Sequence, residues 1–258
     1  MQTYASEYRD SICTDDTWYS EAQHGFGSAD DYNAYKNNML KSVYENGGFY
    51  IGRYEVGTET ARTTKYDDLT TPIIRQDAYP YNYVTCKQAQ SLANQLATGG
   101  KTSSLMFGIQ WDLVLKFIEE KGYLVDGTKV TQDMLKLDST EWGNYYNAEF
   151  DIKRGQYMLP QPYTEDSWTD VVSNYTKLGE TNVLLATGTT ERNSILNIYD
   201  LAGNVMEWTL EYTHETYNPC KPRGGNYNSL GSVTVFNRGS NSPDTASEGQ
   251  CGFRPALY

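Results

Sequence analysis

Long apolar runs are missing from this sequence. No stretch of about 18 apolar residues is present to span a bilayer. Met1 is followed by polar residues, where a secretory leader would place a basic segment and an apolar core. Neither membrane insertion nor a signal peptide is therefore expected of the chain as given. Basic residues are also scarce, 21 Lys and Arg against 33 Asp and Glu, for a net charge of −12. Nucleic acid and anionic lipid surfaces need clustered Lys and Arg, so both are excluded as partners. Histidine is limited to His24 and His214, and no Ser-His-Asp constellation can be inferred from two scattered histidines. The four cysteines, Cys13, Cys86, Cys220 and Cys251, lie far apart with no CxxC spacing, which suggests neither a zinc cluster nor a dense disulfide framework. Buried thiols are the default reading, and a Cys220–Cys251 bridge is the alternative that sequence leaves open. No period of about 20–50 residues recurs, so solenoids and propellers are excluded. No linker-like run divides the chain, and residues 1–258 are read as one domain.

What is abundant is tyrosine, at 23 residues, with plentiful Asn, Ser, Gly and Thr. Tyr supplies large amphipathic contact area at small entropic cost, and Ser, Gly and Asn supply adaptable hydrogen bonds, a mixture typical of recognition surfaces. The competing reading places the tyrosines half-buried on strands. Residues 1–30 are polar and read as an irregular arm of little function. Tyr32, Tyr35, Met39 and Val43 recur at three- and four-residue spacing up to Asn46-Gly47-Gly48, predicting an amphipathic helix over Tyr32–Tyr44. Phe49–Val56 reads as a strand. Thr85 and Gln88 form a capping box that opens a second helix, with Ala89, Leu92, Ala93 and Leu96 inward and Gly99-Gly100 as its stop. Trp111, Val114, Leu115 and Ile118 line a third helix ending at Gly122. From about Trp142 onward the chain is short extended pieces broken by Gly, Asn and Pro. The expected class is α+β, helices early and irregular β structure late.

Four segments, in order, resemble the formylglycine-generating enzyme family: GGFYIGRYEVG (Gly47–Gly57), PYNYVTCKQAQSLA (Pro80–Ala93), YDLAGNVMEW (Tyr199–Trp208), and RGGNYN through GFRPAL (Arg223–Leu257). The resemblance implies that family's variant of the C-type lectin fold, with much irregular structure. Physically, Trp208 and Phe253 are expected in the core, each worth roughly 2–3 kcal/mol on burial. Gly203, Gly224, Gly225 and Gly252 suit close backbone approach or positive φ. Arg254 is expected to clamp an internal carboxylate. The resemblance also implies a calcium site at Asp200, Gly203, Val205 and Glu207, two carboxylates and carbonyls being a partial shell for a hard cation. In the alternative, Glu207 pairs with an arginine and no metal binds.

The family's enzyme holds copper on two cysteines shortly after the RGG motif, and soft thiolates are what Cu(I) requires. Those two places fall here at Ser229 and Thr234, whose hydroxyls cannot replace thiolates, so neither copper nor catalysis is expected. A related branch that uses iron needs three histidines, one more than the chain has. The final segment instead resembles the variable proteins of diversity-generating retroelements, which often end in GFRPAL. Their last segment is rewritten at template adenines. Asn codons so mutated never give Lys, Met, Trp, Glu or Gln, and between Asn226 and Cys251 only Glu248 and Gln250 fall outside the reachable set. The resemblance implies a scaffold whose variable region, 223–258, presents a largely preformed contact surface of Tyr227, Ser229, Leu230, Ser232, Val233, Val235, Phe236, Asn237, Ser240 and Ser242. For Val233, Val235 and Phe236 a buried strand is the competing reading. The implied ligand is a cell-surface protein or glycan, met by a phage tail or a bacterial surface protein. The EPN or QPD calcium motif of sugar-binding lectins is absent. The alternatives are a formylglycine-type oxidase with relocated ligands and a structural tail or adhesin domain.

Overall fold

A computed structural model describes residues 4–10, 25–160, 167–213, 215–244 and 249–258; Cys13, His24, His214 and Glu248 lie outside them. Helix α1 spans Ala29–Asn46. Ser28 caps it by accepting the Asp31 amide, Asp30 and Asp31 face the positive end of its dipole, and Gly47 closes it at φ 76°. Its inward residues are the expected ones, with Tyr32 and Met39 buried and Tyr35 and Val43 packed against the core. Helix α2, Cys86–Asn94, opens on the anticipated capping box, in which Gln88 N donates to Thr85 Oγ1 at 3.2 Å and Thr85 N to Gln88 Oε1 at 2.9 Å. It stops at Asn94, so Leu96 packs on the core from the turn that follows it. Helix α3, Gly108–Lys121, buries Trp111, Val114, Leu115 and Ile118 and ends at Gly122, where a Cβ would meet the Ile118 carbonyl at 2.6 Å. A short fourth helix, Gln132–Lys136, capped by Thr131, was not legible from periodicity because it is barely one turn long.

The expected strand over Phe49–Val56 is mostly irregular. Only Tyr50–Ile51 is strand, because beyond it Gly52 bends the chain so tightly that a Cβ there would lie 2.9 Å from the Tyr54 carbonyl. Tyr50–Ile51 and Ser103–Leu105 both pair antiparallel with Pro255–Leu257, which forms the middle of this three-stranded sheet. Met206–Trp208 runs parallel to Cys251–Phe253. The remaining strands are two or three residues long, including Gln156–Met158 between Trp168–Asp170 and Leu184–Leu185. One core cluster draws on residues from Tyr8 to Tyr258, with Trp111, Trp142, Trp208 and Phe253 fully enclosed. The fold is thus α+β with much irregular structure. The N-terminal arm is more than a covering, since Tyr8 is a core residue and Arg9 reaches Asp112 at 2.9 Å. Among the described residues no helix is long and apolar enough to cross a membrane. The Cys220–Cys251 bridge does not form; both are free, buried thiols, as is Cys86.

Candidate ligand-binding surface

The segment that follows Arg223 is fastened at its base by buried charges. Arg223 donates to Glu211 at 2.7 Å and to Asp112 at 3.1 Å, and Arg238 donates to Glu211 at 2.9 Å and to Asp112 at 3.0 Å. Arg9 joins Asp112 from the arm, and the Arg223 guanidinium lies over the Trp111 ring. Backbone bridges tie Glu207 to Arg223, Arg223 to Arg238, and Cys220 to Asn241. Carboxylates from α3 and from residue 211 therefore hold both stems of the loop 224–237. Breaking such a buried pair by removing one partner costs about 3–5 kcal/mol, so Arg238 is a framework residue inside the segment.

Within the loop nearly every turn of backbone is pinned to the scaffold. Tyr227 N donates to Asn204 O at 3.0 Å, Tyr146 N to Ser229 O at 2.8 Å, Gly231 N to Asn147 Oδ1 at 2.9 Å, and Ser139 N to Gly231 O at 2.9 Å. Val235 N donates to Ser139 Oγ at 3.1 Å, Phe236 N to Leu135 O at 3.2 Å, and the Trp111 indole N–H to Val235 O at 3.0 Å. Gly225 sits at φ 69°, and a Cβ there would lie 2.4 Å from the Val233 carbonyl. Gly225→Ala is accordingly expected to destabilise the protein by about 2–4 kcal/mol through backbone strain and the clash, read as a lower urea midpoint at unchanged slope.

The ten predicted contact residues divide. Leu230, at 51 % exposure, and Ser232 and Ser240 project into solvent. Ser229, Val233, Phe236, Asn237 and Ser242 are half-buried. Tyr227 and Val235, at 6 % and 0 %, are corrected to core residues. Tyr227 packs with Met158, Leu184, Val205 and Trp168, and Val235 joins the main cluster. The buried strand that Thr234-Val235-Phe236 suggested is also absent; these residues occupy turns, and burial comes from the ties to Ser139 and Leu135. The side chains form neighbouring patches. The first surrounds Leu230 and Ser232, beside residues 138–147. The second centres on Phe236, whose ring lies 6.2 Å from that of Tyr8, with the Lys136 ammonium at 5.1 Å and the Arg238 guanidinium at 5.0 Å. A third has Ser240 bonded to Glu215 and Lys221. Lys136 and Tyr146, together with exposed Asn228, belong to this surface and were missed, and Tyr8 supports it from the core beneath Phe236. The outlying partners are far away in sequence, and only Asp112, an acid amid apolar neighbours in the first turns of α3, hinted that a charge would be clamped there.

The four positions at which resemblance implies calcium lie behind the loop. Glu207 is bonded through both oxygens to Arg254, at 2.7–3.1 Å, which makes Arg254 the expected carboxylate clamp. Asp200 accepts the Gly188 amide through Oδ2, while Oδ1 is buried with no partner. Glu55 also faces them, accepting from Val205 N and Asn204 Nδ2. Burial, then the charges of Asp200 and Glu207, raise the Glu55 carboxyl well above the ordinary range, and burial pushes Asp200 up to about 6. Among the described residues no three His, Cys, Asp or Glu side chains are grouped so as to hold a metal ion, and Glu207 would join Asp200 in a cation's shell only by loosening its grip on Arg254. Gly203 holds φ 76°, and a Cβ there would strike Asn144 O at 2.3 Å. Copper does not fit. Ser229 is half-buried with its carbonyl on Tyr146 N, Thr234 is buried, and neither offers a thiolate.

Residues 23–257 match the profile of the family described as sulfatase-modifying factor enzyme 1-like domain. No curated protein matches the chain. Among solved structures it is similar to CarF, at 14% identity and a TM-score of 0.29 over 60% of this chain and 47% of that one. It is also similar to Treponema denticola variable protein 1, at 16% identity and a TM-score of 0.31 over 62% of this chain and 49% of that one. The chain thus spans about half the length of these solved structures.

Proposed function

Because the chain belongs to the family of sulfatase-modifying factor enzyme 1-like domains, we propose that it keeps that fold as a scaffold and binds a ligand with its C-terminal segment instead of catalysing a reaction. The observation that carries this reading is the division of labour inside residues 224–244. The backbone is held by hydrogen bonds and buried arginines, while Asn228, Leu230, Ser232 and Ser240 project outward. A surface built this way accepts changed side chains without a changed loop, as a diversified binding protein needs. Leu230 and the half-exposed Phe236 are the apolar anchors, and the serines and asparagines are adaptable donors and acceptors. Ser229 and Thr234, at the places where the resemblance implies the copper cysteines, offer hydroxyls in place of thiolates and support the non-enzymatic reading. The ligand is a cell-surface protein or glycan, and the setting a phage tail or a bacterial surface.

The encoding DNA and its flanks provide the test. A near-copy of the Asn226–Cys251 region differing only at adenines, beside a reverse transcriptase gene, is the expected finding; no such copy in the flanking sequence returns the segment to ordinary drift.

The same reading includes a structural calcium ion at Asp200, Gly203, Val205 and Glu207. It is supported by the burial of the Asp200 and Glu207 carboxylates and by Asp200 Oδ1, which accepts no hydrogen bond. A bound cation stabilises the folded state by mass action. Calcium is expected to raise the melting temperature by about 3–10 °C over a chelator-treated sample, and Asp200→Asn to abolish the difference. Coincident melting curves would remove the metal from the reading.

A further inference from the structure

The end of α1, strand Tyr50–Ile51 and α3 together enclose a cleft of about 530 Å³ that no residue of the variable segment lines, a size that suits a small ligand. Its apolar walls are Val43 of α1, Phe49 and Ile51, Leu113 and Phe117 of α3, and Ile198. Tyr4 and Phe117 give it an exposed apolar rim, and Tyr4 is fastened there by its hydroxyl, which donates to Glu120 at 2.7 Å. Gly47 and Gly48 also line it, and a Cβ on either would meet nothing within 4 Å. Through Gly47, Gly48 and Phe49 the cleft adjoins a polar recess that holds Asn46, Tyr50 and Lys101. Lys101 is exposed, has its ammonium 5.9 Å from the centre of the Tyr50 ring, and makes no ion pair among the described residues. Lys41, beside it, already faces Glu45 at 3.9 Å. The passage is therefore apolar at one end and carries an uncommitted cation at the other.

We propose that this cleft is a second binding site, for a free single-chain amphiphile with an anionic head, of the medium-chain fatty carboxylate class. The tail lies among Phe49, Leu113, Phe117 and Ile198, the chain crosses Gly47–Gly48, and the carboxylate meets the Lys101 ammonium. Burial of the alkyl chain supplies the affinity, about three- to fourfold for each methylene removed from water. The ammonium decides which end of the chain faces solvent. The two glycines keep both halves connected, since any side chain there would stand in the open passage. Charge selects this occupant over larger ones. A net charge of −12 opposes both an anionic bilayer and a second copy of the chain, whereas one carboxylate needs only one ammonium. The site is independent of the reading of the variable segment.

Titration calorimetry of the full chain with octanoate, decanoate and decanol, each below its micelle or solubility limit, tests the site. One decanoate is expected to bind per chain, about tenfold tighter than octanoate, because two further methylenes leave water. Lys101→Gln should weaken decanoate about two- to fivefold, as loss of an exposed ion pair does, and leave decanol unchanged. Gly48 does not have a positive φ, so Gly48→Leu fills the passage without backbone strain. It should weaken decanoate about tenfold or more by overpacking at an unchanged melting temperature. Should that variant melt more than about 3 °C lower, Phe117→Asn on the exposed rim takes its place. The assignment is overturned by no binding of decanoate, by equal affinity for octanoate and decanoate, or by decanoate binding that neither cleft variant weakens. Equal effects of Lys101→Gln on decanoate and decanol would likewise remove the anionic head. A dimer seen by sedimentation and dissociated by Gly48→Leu would give the cleft to a second copy instead.

Discussion

Arg254→Met is expected to lower stability by about 3–5 kcal/mol, the typical loss when one member of a buried ion pair is removed. That corresponds to a fall in melting temperature of about 10 °C or more for a chain of this size. Arg254 is fully buried and donates to Glu207 through two nitrogens, to Gly52 O at 2.8 Å and to Tyr199 O at 2.7 Å. It is therefore both the counter-charge for a buried carboxylate and the clip between the Gly52 turn and the hairpin ending at Tyr199. Methionine retains much of the volume and removes every donor. The double variant Arg254→Met with Glu207→Gln should recover part of the loss, because the stranded carboxylate is then neutral while the lost carbonyl bonds are not replaced. Thermal melts of the two variants and the parent, in calcium and in chelator, measure both effects. A single variant melting within about 2 °C of the parent would show that the clamp contributes little.

A library randomised at Asn228, Leu230 and Ser232 is expected to remain folded in most members, with melting temperatures within a few degrees of the parent. The corresponding library at Tyr227, Val235 and Arg238 is expected to lose folded protein in most members. Exposed side chains away from special contacts change stability by about 0.5 kcal/mol or less. Emptying the place of Tyr227 costs about 3–5 kcal/mol by cavity formation, and loss of Arg238 leaves Asp112 and Glu211 short of their donors. Soluble yield and melting temperature across the two libraries check the contrast. Equal tolerance would mean that the loop is not held by the ties described above, and equal intolerance that its exposed face is structural. Phe236 is the informative intermediate: half-buried against Tyr8 and Lys136, its truncation should cost both stability and attachment.

What was legible in the sequence was local. The α2 capping box, the inward faces of α1 and α3 and the burial of Trp208 and Phe253 follow from residues a few positions apart, and the structure has each of them. The carboxylate partner of Arg254 was anticipated in kind, because a guanidinium amid apolar residues near a sheet must be paired. The network of Arg9, Asp112, Glu211, Arg223 and Arg238 was not, since its members come from five separate stretches and no period connects them. The same reason explains Tyr227 and Val235. A Tyr or Val in an aperiodic loop carries no mark of which way it points, and only the Asn204 carbonyl and the Ser139 hydroxyl, distant in sequence, accept from their amides and turn them inward. The C-terminal surface was located by the motifs at its two ends, whereas its division into framework and outward positions needed three dimensions.

Pro255–Leu257 lies between Tyr50–Ile51 and Ser103–Leu105, and Cys251–Phe253 runs parallel to Met206–Trp208. The central sheet therefore has no middle until residue 257 has left the ribosome. At about 5–20 residues per second, the helices and the apolar faces of Trp111 and Trp208 wait for seconds or longer without their final partner. Pairings this distant along the chain also close slowly once the chain is released. Residues 224–244 are synthesised within that interval, just ahead of the strand that completes the sheet. Substitutions there act first on a nascent chain, so the outward residues that are tolerated are those that neither aggregate nor delay the arrival of Pro255–Leu257.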